Sequence, residues 1–172
     1  MKSREKIFYD IVTVLNNSEV DIVDAQIVNT TDRYALETFR LIPVNVDISE
    51  LPFVATQINA RLENRLLNTH SENTISNSIS KKYKHFSSPT IITFNETDEK
   101  NTTRVKIETI NRSGVLENIA KTFVDNQIDI LNARIITAGE KAIDYFIVTT
   151  LNNTALNKEQ QNTLKQQLKQ FL

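Results

Sequence analysis

The stretch Ile-Asp-Ile-Leu-Asn-Ala-Arg-Ile-Ile, residues 128–136, has a near copy earlier in the chain, Val-Asp-Ile-Val-Asp-Ala-Gln-Ile-Val, residues 20–28. Both are rich in β-branched residues, as strands are. The spacing between the two stretches also aligns Ile7 with Val115 and Ile11 with Ile119. Blocks that match in the same order indicate an internal repeat, which organises the whole chain.

Each copy of the repeat has the same predicted order of elements. Apolar residues at helical spacing over 7–15 and 115–123 predict a helix, and a β-rich run, a turn and a second strand follow. The second strands also match: after a one-residue gap, Ala-Leu-Glu-Thr-Phe (35–39) aligns with Ala-Ile-Asp-Tyr-Phe (142–146). Helix, hairpin and helix form the core of a ferredoxin-like unit. The predicted fold class is α+β, with two βαββαβ units in tandem.

The units are expected at 1–95 and 101–172, and the first contains a polar linker over 69–89. Two further strands are predicted: one at 90–94, expected to close the first copy, and one at 103–110, expected to open the second. Before Ile7 there is no room for a strand, so the first unit is expected to lack its N-terminal strand. We therefore expect the chain to be the tail of a longer protein.

Composition excludes several classes of function. The chain has 172 residues, a net charge of -1 and no cysteine. The near-neutral charge gives no reason to expect nucleic acid or an anionic membrane as a partner, and no apolar run approaches the roughly 18 residues of a membrane span. Without cysteine there are no disulfides or zinc-thiolate sites, and a cytoplasmic location is expected.

The best candidate for a ligand site is the turn Asn-Arg-Ser-Gly-Val-Leu, residues 111–116, between a strand and a helix. A helix N-terminus offers unpaired N–H groups and partial positive charge, which suit a carboxylate. Gly114 would let a ligand approach the backbone closely. The alternative is that Asn111 and Ser113 only cap the helix. The equivalent turn of the first copy, residues 3–6, has no glycine.

A second candidate is Asn132, a polar residue inside an apolar strand, with Asp24 at the matching position of the first copy. Such a side chain could hold an ammonium or amide group. It could equally face solvent or end the strand's pairing. Recurrence in both copies favours the binding interpretation.

No catalytic or metal-binding constellation is predicted. The two histidines, His70 and His85, lie in the linker region, and there is no His-x-x-x-His motif or phosphate-binding glycine loop. The basic run 81–86 could contact RNA, but a surface or interdomain position is expected for it. Carboxylates are usually exposed. Solvent or strand-end positions are accordingly expected for Asp21, Asp24, Asp129 and Asp144.

The motifs at 111–116, 128–137 (Ile-Asp-Ile-Leu-Asn-Ala-Arg-Ile-Ile-Thr) and 144–146 (Asp-Tyr-Phe) resemble an ACT domain. More specifically, they are similar to the C-terminal ACT pair of the bacterial PII uridylyltransferase/uridylyl-removing enzymes. The first copy, through Ile-Val-Asp-Ala-Gln-Ile-Val (22–28) and Tyr-Ala-Leu-Glu-Thr-Phe (34–39), and the joining segment, through Lys-His-Phe-Ser-Ser-Pro-Thr-Ile-Ile-Thr-Phe (84–94), resemble the same family.

The resemblance implies a glutamine sensor that controls the addition and removal of uridylyl groups on the PII nitrogen-signalling protein. Catalysis, and the Mg²⁺ that it implies, would belong to other domains of the parent enzyme, so this part would hold no cofactor. A homodimer is also expected. The implied ligand-binding residues are Asn111, Arg112, Gly114, Val115, Leu116, Asn132 and Ala133, with weaker equivalents at Asp24 and Ala25. Asn111 and Ser113 stand where the family more often has aspartate and proline.

Three other functions are compatible with the residues. The repeat could be an interaction module that dimerises without a ligand. It could be an ACT regulator of another amino-acid pathway, although the segment 84–94 argues against this. It could also be an unrecognised enzyme, which the scarcity of glycine and the lack of cysteine and clustered histidine disfavour.

Overall fold

The structure is a computed structural model that describes residues 6–30, 32, 34–67 and 89–172. Outside the described residues lie most of the predicted linker 69–89, both histidines and the basic run 81–86. The described chain forms a six-stranded antiparallel sheet and four α-helices. In chain order the elements are α1 (Ile7–Asn16), β1 (Val20–Asn29), β2 (Ala35–Pro43), a 3₁₀ turn (Ile48–Glu50), α2 (Leu51–Leu67), β3 (Ile91–Glu96), β4 (Thr103–Ile110), α3 (Val115–Asp125), β5 (Ile128–Ala138), β6 (Lys141–Thr150) and α4 (Lys158–Phe171).

The strand order, β2-β1-β5-β6-β4-β3, shows how the two copies meet. Equivalent strands pair with each other: β1 of the first copy runs antiparallel to β5 of the second, from Asp24 opposite Ile136 to Val28 opposite Asn132. Each copy contributes one hairpin, β1–β2 or β5–β6, to a continuous sheet. The predicted fold class, α+β with two ferredoxin-like units in tandem, is confirmed.

One strand pairs differently from the prediction. The strand predicted at 90–94 does not close the first copy: β3 pairs with β4, from Ile91 opposite Glu108 to Glu96 opposite Thr103. The short polar connection between the two strands, residues 97–102, allows a tight antiparallel hairpin, and local pairing of this kind needs little loop closure. In the pairing of the sheet, residues 91–96 therefore go with the second copy.

The core lies between the helices and one face of the sheet. Alternate strand residues such as Ile27, Val105 and Phe146 point into it, as the two-residue period of a strand requires. Phe8 of the first copy packs against Phe146 of the second, with ring centroids 6.5 Å apart. Since both copies supply side chains to this cluster, the two copies share it. A second cluster packs α1 against α2 within the first copy and consists of Ile7, Ile11, Leu15 and Ile58. Within the described residues, no helix is long and apolar enough to span a membrane.

The last helix begins at a capping box formed by Asn157 and Gln160. The backbone N–H of Gln160 donates to Asn157 Oδ1, and the Asn157 N–H donates to Gln160 Oε1, both at 2.9 Å. Leu164 and Leu168, one turn apart, are then completely buried. The cap therefore fixes where the helix begins and places these leucines over the sheet.

Replacing the cap should destabilise the protein measurably. For Asn157→Ala we expect a loss of about 1 kcal/mol in the free energy of unfolding in urea, because the Gln160 N–H loses its acceptor. Asn162→Ala is the matched control, since Asn162 is exposed inside the same helix, where alanine should stabilise by a few tenths of a kcal/mol. Equal effects of both substitutions would contradict the capping role.

Candidate functional site

The loop 111–114 connects β4 to α3 and lies against the β5–β6 hairpin. The Asn111 N–H donates to the Glu140 carbonyl at 2.8 Å, and its side-chain amide reaches the Gly139 carbonyl at 3.5 Å. Gly114 is the N-cap of α3 and has a φ of 83°, a conformation that a side chain would strain. No side chain caps the helix, so Asn111 and Ser113 do not act as the caps that the alternative prediction required.

The first turn of α3 keeps free backbone donors. The Val115 N–H donates to the Arg112 carbonyl at 3.2 Å, so it is already occupied. For the N–H groups of Leu116 and Glu117, no acceptor is present among the described residues. Unpaired donors at a helix N-terminus attract a carboxylate, and Leu116 and Glu117 offer them here.

The first copy contributes Asn16 to this loop. Ser113 Oγ donates to Asn16 Oδ1 at 3.2 Å, and Asn16 Nδ2 donates to Glu117 Oε2 at 2.6 Å. Burial raises the pKa of Glu117, against the effect of the hydrogen bond from Asn16. Because Asn16 ends α1, these contacts place the ligand-loop candidate at the junction of the two copies. Neither Asn16 nor Glu117 was among the predicted site residues.

The other predicted loop residues have structural contacts. Arg112 Nη2 donates to the carbonyl oxygens of Phe171 and Leu172, at 3.1 and 2.6 Å. A cation at the carbonyl end of a helix is favourable, so Arg112 ties the loop to the end of α4. Val115 is buried in the core and Leu116 is half-buried against it, and both anchor the first turn of α3.

The strand candidates lie elsewhere in the sheet. Asn132 is exposed on β5, between Val28 of β1 and Ile147 of β6. It is seven residues from Gly139, roughly 20 Å along the strand at about 3.3 Å per residue. Its neighbour Ala133 is buried on the helix side, so the Asn132 side chain points to the opposite face. The structure does not bring Asn132 to the loop 111–114.

The first-copy equivalents are closer to that loop. Asp24 lies opposite Ile136, only three residues from Gly139 and so roughly 10 Å from it along the strand. Its carboxylate forms an ion pair with Arg134 of the second copy at 3.1 Å. Ala25 is completely buried. Because its neighbour Ala25 is buried, Asp24 points to the face of the sheet away from the helices, as Asn132 does.

Two buried carboxyl groups occupy equivalent positions of the repeat. Asp144 of β6 is 1% exposed and its Oδ1 atom has no hydrogen-bond partner, so the expectation of a solvent position for Asp144 is wrong. Glu37, its counterpart in β2, has two buried oxygens without partners. Burial raises the pKa of each group to about 7, because a carboxylate loses its hydration inside the protein.

The Glu37 carboxyl group lines a small cavity at the start of α1. The cavity is about 20 Å³ and also contacts Lys6, Ile27 and Asp129. That volume has room for a water molecule and is too small for an amino acid. Each copy of the repeat thus holds one buried acid in its second strand, and neither acid was predicted as a site residue.

Comparison with known proteins finds relatives among the bifunctional uridylyltransferase/uridylyl-removing enzymes. The bifunctional uridylyltransferase/uridylyl-removing enzyme of Pasteurella multocida is 28% identical over 171 residues, covering 99% of this chain and 20% of the relative. That of Idiomarina loihiensis is 30% identical over 159 residues, covering 92% and 18%. That of Psychrobacter cryohalolentis is 30% identical over 158 residues, covering 90% and 17%. No protein-family model matches the chain.

Fold and comparison together define what the chain resembles. It is a repeat of two ferredoxin-like units that share one sheet and its main core cluster. Over nearly its whole length it is similar to a segment of the uridylyltransferase/uridylyl-removing enzymes, as its motifs indicated. The chain spans about a fifth of the length of these relatives.

Proposed function

We propose that the chain is an amino-acid-sensing pair of ACT domains that binds glutamine and controls a parent uridylyltransferase/uridylyl-removing enzyme. The activity for which the relatives are named, uridylyl transfer and removal, supports the parent's chemistry. We propose PII as the parent's protein substrate. Uridylyl transfer and removal, and any Mg²⁺ they need, are assigned to the parent's other domains. The chain itself would act only by binding.

The observation that carries the proposal is the position of the loop 111–114. It presents the free N–H groups of Leu116 and Glu117 at the junction where Asn16 of the first copy contacts Ser113 of the second. The ligand carboxylate would bind these N–H groups. The ammonium group would be held by Asn132 of a neighbouring chain in a homodimer.

Sensing requires that the ligand favours one arrangement of the two copies. A ligand shifts an equilibrium only by its difference in affinity for the two states. Typical coupling free energies between sites are about 1–3 kcal/mol. A ligand that touches both copies at Asn16 and Ser113 would bind only when these elements are close, and so would fix the packing that the catalytic domains detect.

Isothermal titration calorimetry with glutamine tests the proposal, with glutamate and glycine as competing ligands. We expect saturable binding of glutamine and at least tenfold weaker binding by Gly114→Ala, because the added side chain strains a φ of 83° and moves the loop. Asn153→Ala is the matched control, since exposed Asn153 also has a positive φ, of 55°, in the turn after β6, at the opposite end of that strand from the loop. If both variants bind glutamine with the same affinity, the loop is not part of the binding site.

A second function is favoured by the outer edge of the sheet. Among the described residues, no strand pairs with the outer edge of β2, where Leu36 and Ile42 are more than half exposed. An unpaired edge is a template for pairing with another chain. A chain that dimerises in analytical ultracentrifugation, but gives no heat with any amino acid, would support a ligand-independent interaction module instead.

A further inference from the structure

A second cavity lies in the first copy, between the turn that ends α1 and the middle of α2. Its volume is about 290 Å³, close to the lower end of the size range of small-molecule sites. Val54 and Ile58 of α2 form its apolar side, and Gln57 adds an amide. The charged groups on its walls are Glu19 and Arg61. No residue of the loop 111–116 contributes to it.

The guanidinium group of Arg61 is held at one side of this cavity. Its Nη1 atom donates to the Asn17 carbonyl at 3.1 Å and contacts Ser18 Oγ at 3.4 Å. An arginine has five N–H donors, so these contacts leave others for a ligand. A guanidinium with two parallel donors matches a carboxylate in geometry.

The carboxylate of Glu19 lines the same cavity and is not paired with Arg61. Within the part of the chain that the structure describes, no ion pair joins these two residues at 4.0 Å or less. Two opposite charges therefore face one cavity without neutralising each other. A ligand that carries both a carboxylate and an ammonium group complements this arrangement.

In the second copy a direct side-chain contact joins the corresponding elements. Between the turn after α3 and the helix α4, Asn126 Nδ2 donates directly to Gln167 Oε1 at 2.5 Å. This amide pair joins the two elements where the first copy keeps a cavity. At this place the first copy has the charged side chains of Glu19 and Arg61, and the second copy has a pair of neutral amides.

We infer that this cavity binds a small zwitterion, an α-amino acid, with its carboxylate on Arg61, its ammonium group on Glu19 and its side chain along Ile58 and Gln57. The inference rests on the proposed function, since it assigns the same class of ligand to a second place. It makes the first copy a binding unit in its own right. The loop 111–116 then need not be the only sensor.

The test is a glutamine titration of the full chain, followed by calorimetry and by the amide shifts of the ¹⁵N-labelled protein. We expect Arg61→Gln and Glu19→Gln each to weaken one binding step at least tenfold, and the amide signals of Gln57 and Ile58 to move on titration. Glu63→Gln, an exposed charge-to-amide change on the same helix but outside the cavity, should bind as the unmodified chain does. Thermal unfolding of each variant checks that the fold persists, and Glu19→Gln keeps the test valid if Arg61→Gln unfolds.

The outcomes separate this inference from the proposed function. Loss of binding in the Arg61 and Glu19 variants, with Gly114→Ala unaffected, would support the cavity and overturn the loop. Loss in Gly114→Ala alone, with shifts confined to residues 111–117, would overturn the cavity and leave the proposed function standing. An unmodified chain that binds no amino acid would overturn both.

Discussion

Phe146→Ala should lower the free energy of unfolding by about 3–5 kcal/mol, the usual cost of removing a large aromatic side chain from a packed core. Phe146 is completely buried. Its ring makes an edge contact with Phe123 at 5.0 Å and a second with Phe8 at 6.5 Å. Phe8 in turn stacks on Phe39 of the first copy at 6.3 Å. The substitution removes the ring through which the two copies share their core.

Urea denaturation followed by circular dichroism measures this effect. Phe53→Ala is the matched control: Phe53 is 66% exposed on α2, and its removal should cost less than about 0.5 kcal/mol. Because Phe8 and Phe146 belong to different copies, both halves should unfold in one transition. Two separate transitions, or similar costs for the two substitutions, would contradict a shared core.

Much of the fold followed from the repeat. The helical stripe of α1 recurs in α3, and the hairpin β1–β2 recurs in β5–β6, so each copy supported the assignment of the other. The pairing of β3 did not follow from the pattern. An apolar run predicts a strand but does not predict which strand pairs with it, and β3 lies between the two copies in the sequence. Its short connection to β4 decided the pairing in favour of the second copy.

The buried carboxyls were missed for a different reason. Strands that are polar on one face reveal their buried side by alternation. In β6, Ile143 and Tyr145 lie on one face, and Ala142 and Phe146 lie with Asp144 on the other. Both faces are therefore apolar, and the pattern does not show which of them is buried. In β2, Glu37 follows Leu36, so the sequence suggests that Leu36 is buried and Glu37 is exposed, although the Glu37 carboxyl oxygens are buried. The inner side became visible only through the helices packed on the sheet.

The candidate sites show the limit of reasoning from local motifs. The glycine turn was predicted correctly as the start of α3 because its residues are contiguous. Asn132, of the same or a neighbouring unit, was expected as the strand partner of that turn. Within this chain Asn132 lies roughly 20 Å from the turn along β5, and Asp24, its first-copy equivalent, lies opposite Ile136 in the sheet. The charges of the second cavity, Glu19 and Arg61, are far apart in sequence, so only the packing of α2 on α1 shows them together.

Asp144 should make the protein less stable as the pH rises from about 4 to 7. Its pKa is raised from 3.8 to about 7 in the folded chain because of burial. Below pH 3.8 the carboxyl group is protonated in both states and costs nothing. Between the two values the unfolded chain releases the proton while the folded chain keeps it, so stability falls with pH by about 1.4 kcal/mol per unit. Above pH 7 the loss, of up to about 4 kcal/mol, is complete.

Asp144→Asn removes this titration and keeps the shape of the side chain. The amide itself will have a cost that does not depend on pH, so the informative quantity is how the stability difference between variant and parent changes from pH 5 to pH 7. We expect the change to favour the variant by about 2–3 kcal/mol. Ile143→Val, next to it on β6, carries no titrating group and should give the same difference at both pH values. A pH-independent difference for Asp144→Asn would show that the Asp144 carboxyl titrates in the folded protein as it does in water.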